Sequence, residues 1–221
     1  LESFQASQIS FLLVIYLLAI TFVFSFPAGV MAAIYLEEFA PDNRLMHIVE
    51  VNINNLAAIP SILFGLLGLA IFINFLGLPR SSALVGGLTL ALMTLPVIII
   101  ATRAAIRAIP DSIREGALAL GATHWQVVWD HVLPLSLPGI LTGAILAFAK
   151  AMGEFGATIT FVSNIPGQTQ TLPSAIYTFL QVPGRDAQAF RLVLVAIAIA
   201  MLALFLSEWV SRAVAHRISG Q

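Results

Sequence analysis

Five long apolar stretches restrict what this chain can fold into. Each is at least about 18 residues long, close to the length with which an α-helix crosses a bilayer. The 221 residues are 59% hydrophobic and only 10% charged, and the mean hydropathy of +0.98 lies outside the range of soluble domains. The sequence therefore predicts an all-α, polytopic membrane helix bundle that forms a single domain over residues 1–221. The predicted spans are about 11–35, 48–75, 84–101, 137–162 and 189–214.

The second predicted span is unusual because polar residues and a proline interrupt it. Asn52, Asn54 and Asn55 lie in its first turns, and Pro60 follows shortly after. Such amides either hydrogen-bond to neighbouring helices or line a hydrated path. The sequence leaves both interpretations open.

The fourth predicted span combines small residues with an ion pair. Gly139 and Gly143 form a GxxxG pair, which favours close helix packing, and Lys150 and Glu154 follow on the same helical face. Charges inside a span are costly unless they face the bundle interior or water. The pair is expected either to border a translocation path or gate, or to fix helix packing as a mutually neutralised pair.

Residues 111–134 form the longest polar-bearing segment between the spans, hereafter the 111–134 loop. Ser112 and Glu115 have the spacing of a capping box, which predicts the start of a short helix. Gly121 predicts its end, and Thr123 is expected to cap a second short helix. Pro134, followed by Pro138, is expected to break the chain before the next span.

The second short helix of the loop carries an apolar stripe. Trp125, Val128, Trp129 and Val132 recur at helical spacing, but the stripe is too short to cross a bilayer. Exposed tryptophans between spans indicate either a cytoplasmic surface that inserts into a partner or an interfacial re-entrant loop with tryptophans at headgroup level.

Several function classes lack their sequence signals here. The sequence contains no phosphate-binding GxxxxGK[ST], no H-E-x-x-H or G-x-S-x-G motif and no cysteine, and its four histidines are scattered. We therefore expect a transport subunit rather than an enzyme, with no cofactor or metal bound by this chain. The net charge of −1 gives no attraction to nucleic acid.

The 111–134 loop resembles the EAA loop of permease subunits in binding-protein-dependent (type I) ABC importers. Glu115-Gly116-Ala117, Gly121 and the run from His131 to Pro134 carry the resemblance, with glycine in place of the first alanine. The resemblance implies a five-helix ABC permease core with a cytoplasmic two-helix coupling loop. The residues expected to contact an ATPase subunit are Glu115, Gly116, Ala117, Gly121, Trp125, Leu133 and Pro134.

The same resemblance implies the partners and the energy source. These are cytoplasmic ATPase subunits that use ATP and Mg, a second permease subunit and an extracytoplasmic oxyanion-binding protein. Homodimers and heterodimers both occur among the similar subfamilies, so the pairing stays open. A secondary transporter or channel that works without ATP is the alternative class.

Two subfamilies resemble different parts of the chain. Residues 28–149 resemble phosphate permease subunits, and residues 153–221 resemble molybdate permeases, with sulfate permeases close behind. The chain therefore looks like a hybrid, and both parts imply import of a tetrahedral oxyanion. We expect phosphate slightly ahead of molybdate, with sulfate and tungstate as related alternatives. Hydroxyl and amide groups that can escort an anion, or that merely cap helix ends, are Thr158, Thr160, Ser163 and Asn164.

Basic residues near the span ends predict the orientation in a bacterial inner membrane. With the 111–134 loop inside, the arginines at 44, 103, 107, 114, 212 and 217 lie on the cytoplasmic side, and those at 80, 185 and 191 lie outside. This arrangement places the loop in the cytoplasm and the N-terminus outside. No basic segment precedes the first apolar stretch, so no signal peptide is predicted. The family resemblance leads us to expect a further helix before residue 1, with a complete five-span protein as the alternative.

Overall fold

A computed structural model describes residues 2–79, 82–159 and 171–219, and all regular structure within these ranges is helical. The first half of the bundle consists of four helices, two of which continue into π-helical turns. These are α1 (Glu2–Ile34, then Tyr35–Phe39), α2 (Arg44–Ala58), α3 (Ser61–Gly68, then Leu69–Phe75) and α4 (Ala83–Arg107). Asn43 and Ser82 cap α2 and α4 by accepting hydrogen bonds from Met46 N at 2.9 Å and Val85 N at 3.2 Å.

The second half begins with the 111–134 loop. Its helices are α5 (Asp111–Ala119) and α6 (His124–Gln126, then a π-helical turn, Val127–Val132), and the bundle continues with α7 (Leu133–Met152), α8 (Gly156–Ile159), α9 (Leu172–Leu180) and α10 (Asp186–Ser219). The predicted all-α fold with a two-helix loop is confirmed.

The helix lengths agree with a membrane protein. Among the described residues, four segments are long and apolar enough to cross a bilayer: Tyr16–Phe39, Ala83–Arg107, His124–Met152 and Asp186–Val210. The pair α2 and α3 would make a fifth, bent by 103° at the break around Pro60. Proline cannot donate a backbone hydrogen bond, which explains why the predicted interruption lies here.

The fourth span differs from its prediction at both ends. Pro134 and Pro138 do not break the chain, because the helical segment His124–Met152 continues through them. A π-helical turn precedes Pro134 and already shifts the backbone bonding pattern, so the missing N–H is accommodated. At the other end α7 stops at Met152 instead of continuing to residue 162.

α4 is the central helix of the bundle, and α1 and α7 pack against it at positions where glycine permits close approach. A Cβ added at Gly87 would lie 2.7 Å from Ile20 Cβ, and one added at Gly139 would lie 2.6 Å from Ala105 Cβ. At Gly143 an added Cβ would lie closer than 3.0 Å to Ala101. The GxxxG pair of the fourth span therefore forms the contact with α4, as its spacing predicts.

Candidate functional site

The turn of the 111–134 loop is fixed by backbone geometry. Gly121 has φ +89°, a conformation that favours glycine. Its N–H donates to Leu118 O at 2.9 Å, and Ala122 N donates to Ala117 O at 3.1 Å, the paired bonds of a Schellman motif. The predicted stop at Gly121 is thus confirmed.

The two short helices begin differently from one another. Thr123 caps α6 as predicted, in a capping box with Gln126, whose Oε1 accepts Thr123 N at 2.8 Å. The predicted box of Ser112 and Glu115 is wrong. α5 begins at Asp111 directly after Pro110 and has no side-chain cap, so Ser112 lies inside the first turn rather than at the N-cap.

One side of the loop packs onto the bundle and the other is exposed. Ala117 is buried with Val127, Val128 and Val132 in a cluster that includes Ile34 of α1 and Ile106 of α4. Leu120 is 91% exposed, and Trp125 and Trp129 are 59% and 53% exposed. The two indole rings stack with centroids 6.3 Å apart, and Phe39 lies 4.8 Å from Trp125. The loop therefore presents a fixed aromatic surface, the chemistry typical of protein interfaces.

The predicted contact residues are divided between these two sides. Glu115, Gly116, Gly121 and Trp125 are exposed, whereas Ala117 is buried. Leu133 and Pro134 are half-buried at the start of α7, where Leu133 packs against the cluster beneath the loop. An added Cβ at Gly116 would meet nothing within 4 Å, so the chain's own packing does not require the glycine found there.

Arg114 anchors the loop to the end of the first span. Its guanidinium donates to Glu38 Oε1 at 2.9 Å and to the backbone oxygens of Ile109 and Ile106 at 2.8 Å and 3.1 Å. It also pairs with Asp111 at 3.1 Å. A ring nitrogen of His124 lies 2.8 Å from Glu38 O, which ties α6 to the same point. Both short helices are thus held at the end of the first span.

A second group of charges lies beside this anchor. Arg103, 6% exposed, and Arg107 both pair with Glu37 and with Glu50 of α2. The Arg107 contacts measure 2.9 Å to Glu37 and 3.3 Å to Glu50. Two positive and two negative charges neutralise one another, which a buried arginine requires. The sequence analysis did not propose Glu37, Glu38 or Glu50 as site residues. Their charges near the ends of predicted spans were a signal that could have identified them.

The predicted path residues are only partly described. Thr160, Ser163 and Asn164 lie outside the described residues, and Thr158 lies in α8. Lys150 is exposed near the end of α7, while Glu154 is buried beyond it and accepts Ala157 N at 3.0 Å. Because α7 ends at Met152, no continuous helix joins these two residues, and the predicted common helical face is wrong.

The region around Glu154 is tightly packed against the broken span. α8 packs on α3, and a Cβ added at Gly156 would lie 2.5 Å from Ser61 Oγ and 3.3 Å from Ile62 N. The end of the fourth span therefore touches the start of α3, immediately after the 103° bend. Among the described residues, no group of three or more histidines or acids could hold a metal ion.

Together these features define a polytopic membrane helix bundle with an anchored, aromatic loop between two of its spans. Residues 25–220 match the family described as binding-protein-dependent transport system inner membrane component. This chain belongs to that family. The likeness expected from the 111–134 loop is thereby confirmed for most of the chain.

Individual relatives extend this result. The Escherichia coli K12 molybdenum transport permease ModB is 50% identical over 125 residues, covering 57% of this chain and 55% of the relative. The Mycobacterium tuberculosis H37Rv phosphate permease PstA 1 is 33% identical over 169 residues, covering 73% of this chain and 54% of the relative. The chain thus spans about half the length of these curated relatives. The molybdate match is longer than the 69 residues of 153–221, so that likeness extends beyond the predicted region.

The fold is also shared with solved transporters. An inward-facing structure of the MetNI methionine ABC transporter matches with a TM-score of 0.74 and 22% identity, over 90% of this chain and 93% of that chain. A bacterial alginate ABC transporter matches with a TM-score of 0.70 and 17% identity, over 90% and 75% of the two chains. At these identities the likeness establishes the fold.

Proposed function

We propose that this chain is the permease subunit of an ATP-driven importer that moves a tetrahedral oxyanion across a bacterial inner membrane. The observation that carries the proposal is the exposed aromatic surface of the 111–134 loop, held by Arg114 in a chain of this family. An apolar surface presented on a fixed support fits a permanent partner better than lipid or water. A channel or secondary transporter has no need of such a surface.

Molybdate is the substrate that the relatives favour. The slight preference for phosphate expected from the sequence is corrected, because the molybdenum permease is 50% identical to this chain and the phosphate permease 33%. Phosphate stays the second candidate, since the phosphate permease matches 73% of the chain. Both ions are tetrahedral oxyanions, so one transport path suits either class.

The remaining partners follow from the proposed role. ATP and Mg belong to cytoplasmic ATPase subunits that receive Glu115, Gly116, Gly121 and Trp125, while Ala117, Leu133 and Pro134 support that surface from the bundle side. A second permease subunit completes the path, and an extracytoplasmic binding protein delivers the anion. The proposed path or gate comprises Lys150, Glu154, Thr158, Thr160, Ser163 and Asn164.

The docking role can be tested by site-specific crosslinking, because the chain contains no cysteine. Leu120→Cys places a single thiol on the exposed surface of the loop. We expect it to crosslink to the ATPase subunit in the assembled transporter. Phe75→Cys is the matched control. Phe75 is 84% exposed at the predicted outer end of α3, so a thiol there should not crosslink to the ATPase subunit. Equal crosslinking at both positions would refute the docking role.

The charge of Glu115 offers a functional test of the same surface. Glu115→Lys reverses an exposed charge in α5, so we expect ATP hydrolysis to continue while anion uptake falls. Glu208→Lys, exposed on α10, controls for a general effect of charge reversal. Unchanged coupling in Glu115→Lys would count against the assignment of this residue.

The substrate is decided by exchanging the binding protein. Vesicles carrying this chain with a molybdate-type ATPase subunit are supplied with ATP and with either a molybdate-binding or a phosphate-binding protein. We expect molybdate uptake with the first protein and no phosphate uptake with the second. The reverse pattern would assign the chain to phosphate.

A further inference from the structure

Two adjacent carboxylates at the end of the first span have different partners. Glu38 pairs with Arg114 of the 111–134 loop at 2.9 Å. Glu37 pairs with Arg103 and Arg107 at the end of α4. Because the two acids are neighbours in the chain, the backbone joins the ion pair of the 111–134 loop to those of α4.

The two arginines of α4 also connect this helix to α2. Both of them pair with Glu50, which lies in the middle of that helix. The result is two groups of ion pairs joined by the peptide backbone between Glu37 and Glu38, which together we call the ionic chain. In order from the loop it comprises Asp111, Arg114, Glu38, Glu37, Arg103, Arg107 and Glu50.

α2 depends strongly on this connection. It packs on α4, yet none of its residues is buried. The ion pairs of Glu50 add specific polar contacts to this partial packing of α2 on α4. Charge-assisted bonds to arginine are among the stronger polar contacts that a protein can form.

The far end of α2 leads to the tightly packed part of the predicted path. After the 103° bend, α3 begins at Ser61, whose Oγ lies against Gly156 of α8. α8 contains Thr158 and follows Glu154, two of the proposed path residues. α2 is therefore joined, through the bend at Pro60, to the contact between α3 and α8.

We propose that the ionic chain transmits the position of the 111–134 loop to the broken span, with Glu50 as its positioning residue. This inference rests on the proposed function, because it explains how ATPase docking would reach the anion path. The exposed Arg107 suits this role because exposed ion pairs exchange partners at low cost, whereas the buried pairs of Arg103 and Glu38 hold the helices in place. Arg107, 60% exposed on its side chain, is the member of the chain best placed for such exchange.

The test measures anion uptake and ATP hydrolysis in the same vesicles. These contain the complete transporter with its binding protein, and the readout is the number of molybdate ions moved per ATP hydrolysed. Glu50→Gln removes the charge that joins α2 to the arginines, and we expect this ratio to fall at least about fivefold while ATP hydrolysis continues. Glu208→Gln removes one charge from the exposed ion pair with Arg212, at 2.5 Å, and should leave the ratio unchanged.

Two further variants keep the test decisive. Arg107→Gln alters the exposed end of the chain and is expected to lower the same ratio even if Glu50→Gln fails to assemble. Glu50→Asp keeps the negative charge and is expected to preserve more of the ratio than Glu50→Gln, because Arg103 and Arg107 keep an acidic partner. A purely structural role for Glu50 would instead lower transporter yield without changing the ratio.

The outcomes separate this inference from the proposed function. Wild-type vesicles without ATP-dependent uptake of molybdate or phosphate would overturn the proposed function. If the wild type transports and Glu50→Gln and Arg107→Gln both keep its ratio, the inference alone is overturned. Where Glu50→Gln does not assemble, a wild-type ratio in Arg107→Gln overturns it.

Discussion

The two ends of α4 contact α1 through different forces, although α7 packs closely on α4 near the end that carries Arg103. Near Gly87, contacts with α1 are steric, and Thr21 Oγ1 donates to Gly87 O at 3.1 Å. Near Arg103 and Arg107 the contacts are ionic and join α4 to α1 and α2. Close packing suits a region surrounded by lipid, where charges are costly. The ionic end also connects α4 to the 111–134 loop, because Arg114 of the loop pairs with Glu38 beside Glu37.

Removing the buried arginine should produce the largest effect. Arg103→Ala leaves Glu37 and Glu50 with only the exposed Arg107, and loss of one partner from a buried ion pair costs about 3–5 kcal/mol. We expect the free energy of unfolding, measured by denaturant titration in mixed micelles, to fall by about 3 kcal/mol or more. Arg44→Ala, an exposed arginine of α2, is the control. Equal losses in both variants would show that the ionic end contributes no specific stability.

Overpacking at the opposite end of α4 should have the next largest effect. Gly87→Leu places a side chain against Ile20 and Leu17 O of α1, so the two helices must separate. Such substitutions cost about 1–3 kcal/mol, and the same unfolding titration measures this loss. Gly116→Leu is the matched control because its surroundings are open. A stable Gly87→Leu protein would mean that the packed end of α4 tolerates displacement after all.

The hydroxyl contact at the packed end should contribute less. Thr21→Val keeps the side-chain shape but removes the hydrogen bonds to Gly87 O and Leu17 O. Interhelical hydrogen bonds in membranes average about 0.6 kcal/mol, so we expect an unfolding free energy lower by about that amount. Ser25→Ala is the control, because it removes a hydrogen bond within α1 only. The difference between the two variants gives the contribution of the interhelical hydrogen bond. A loss of several kcal/mol in Thr21→Val would show that polar contacts, rather than packing, provide most of the stability at this end of α4.

The smallest effect is expected where an ion pair lies on the surface. Glu208 and Arg212 of α10 are 2.5 Å apart, but their side chains are 61% and 73% exposed. Exposed helix pairs contribute about 0.3–0.5 kcal/mol. Glu208→Gln should therefore lower the free energy of unfolding by an amount within that range, and by less at high salt, which screens exposed charges. A loss comparable to that of Arg103→Ala would remove the distinction between buried and exposed ion pairs.

The sequence predicts local features of this bundle well. Apolar length identified the spans, proline located the interruption at Pro60, and Gly121 and Thr123 defined the two ends of the turn in the 111–134 loop. Each of these signals depends on a few neighbouring residues. Backbone conformation and side-chain capping are decided at that scale, so pattern analysis can identify them.

Features that depend on distant residues were missed or misplaced. Glu37 and Arg103 are 66 positions apart, and nothing in either segment specifies the other as its partner. The apparent capping box at Ser112 fails because helix α5 begins two residues earlier than it implies, at Asp111 directly after Pro110. Pro134 stays helical because a π-helical turn precedes it, a bonding change that residue periodicity does not reveal. Ion pairs between distant residues and small shifts in helix start or backbone bonding can therefore be identified only in the folded structure.

Dependence of transport on ATP tests the central claim most directly. Molybdate uptake is measured in vesicles that contain this chain, a molybdate-type ATPase subunit and the molybdate-binding protein, with ATP, without ATP and with a non-hydrolysable analogue. We predict uptake only when hydrolysable ATP and the binding protein are both present. Equal uptake without ATP would contradict the account and identify the bundle as a channel or secondary transporter.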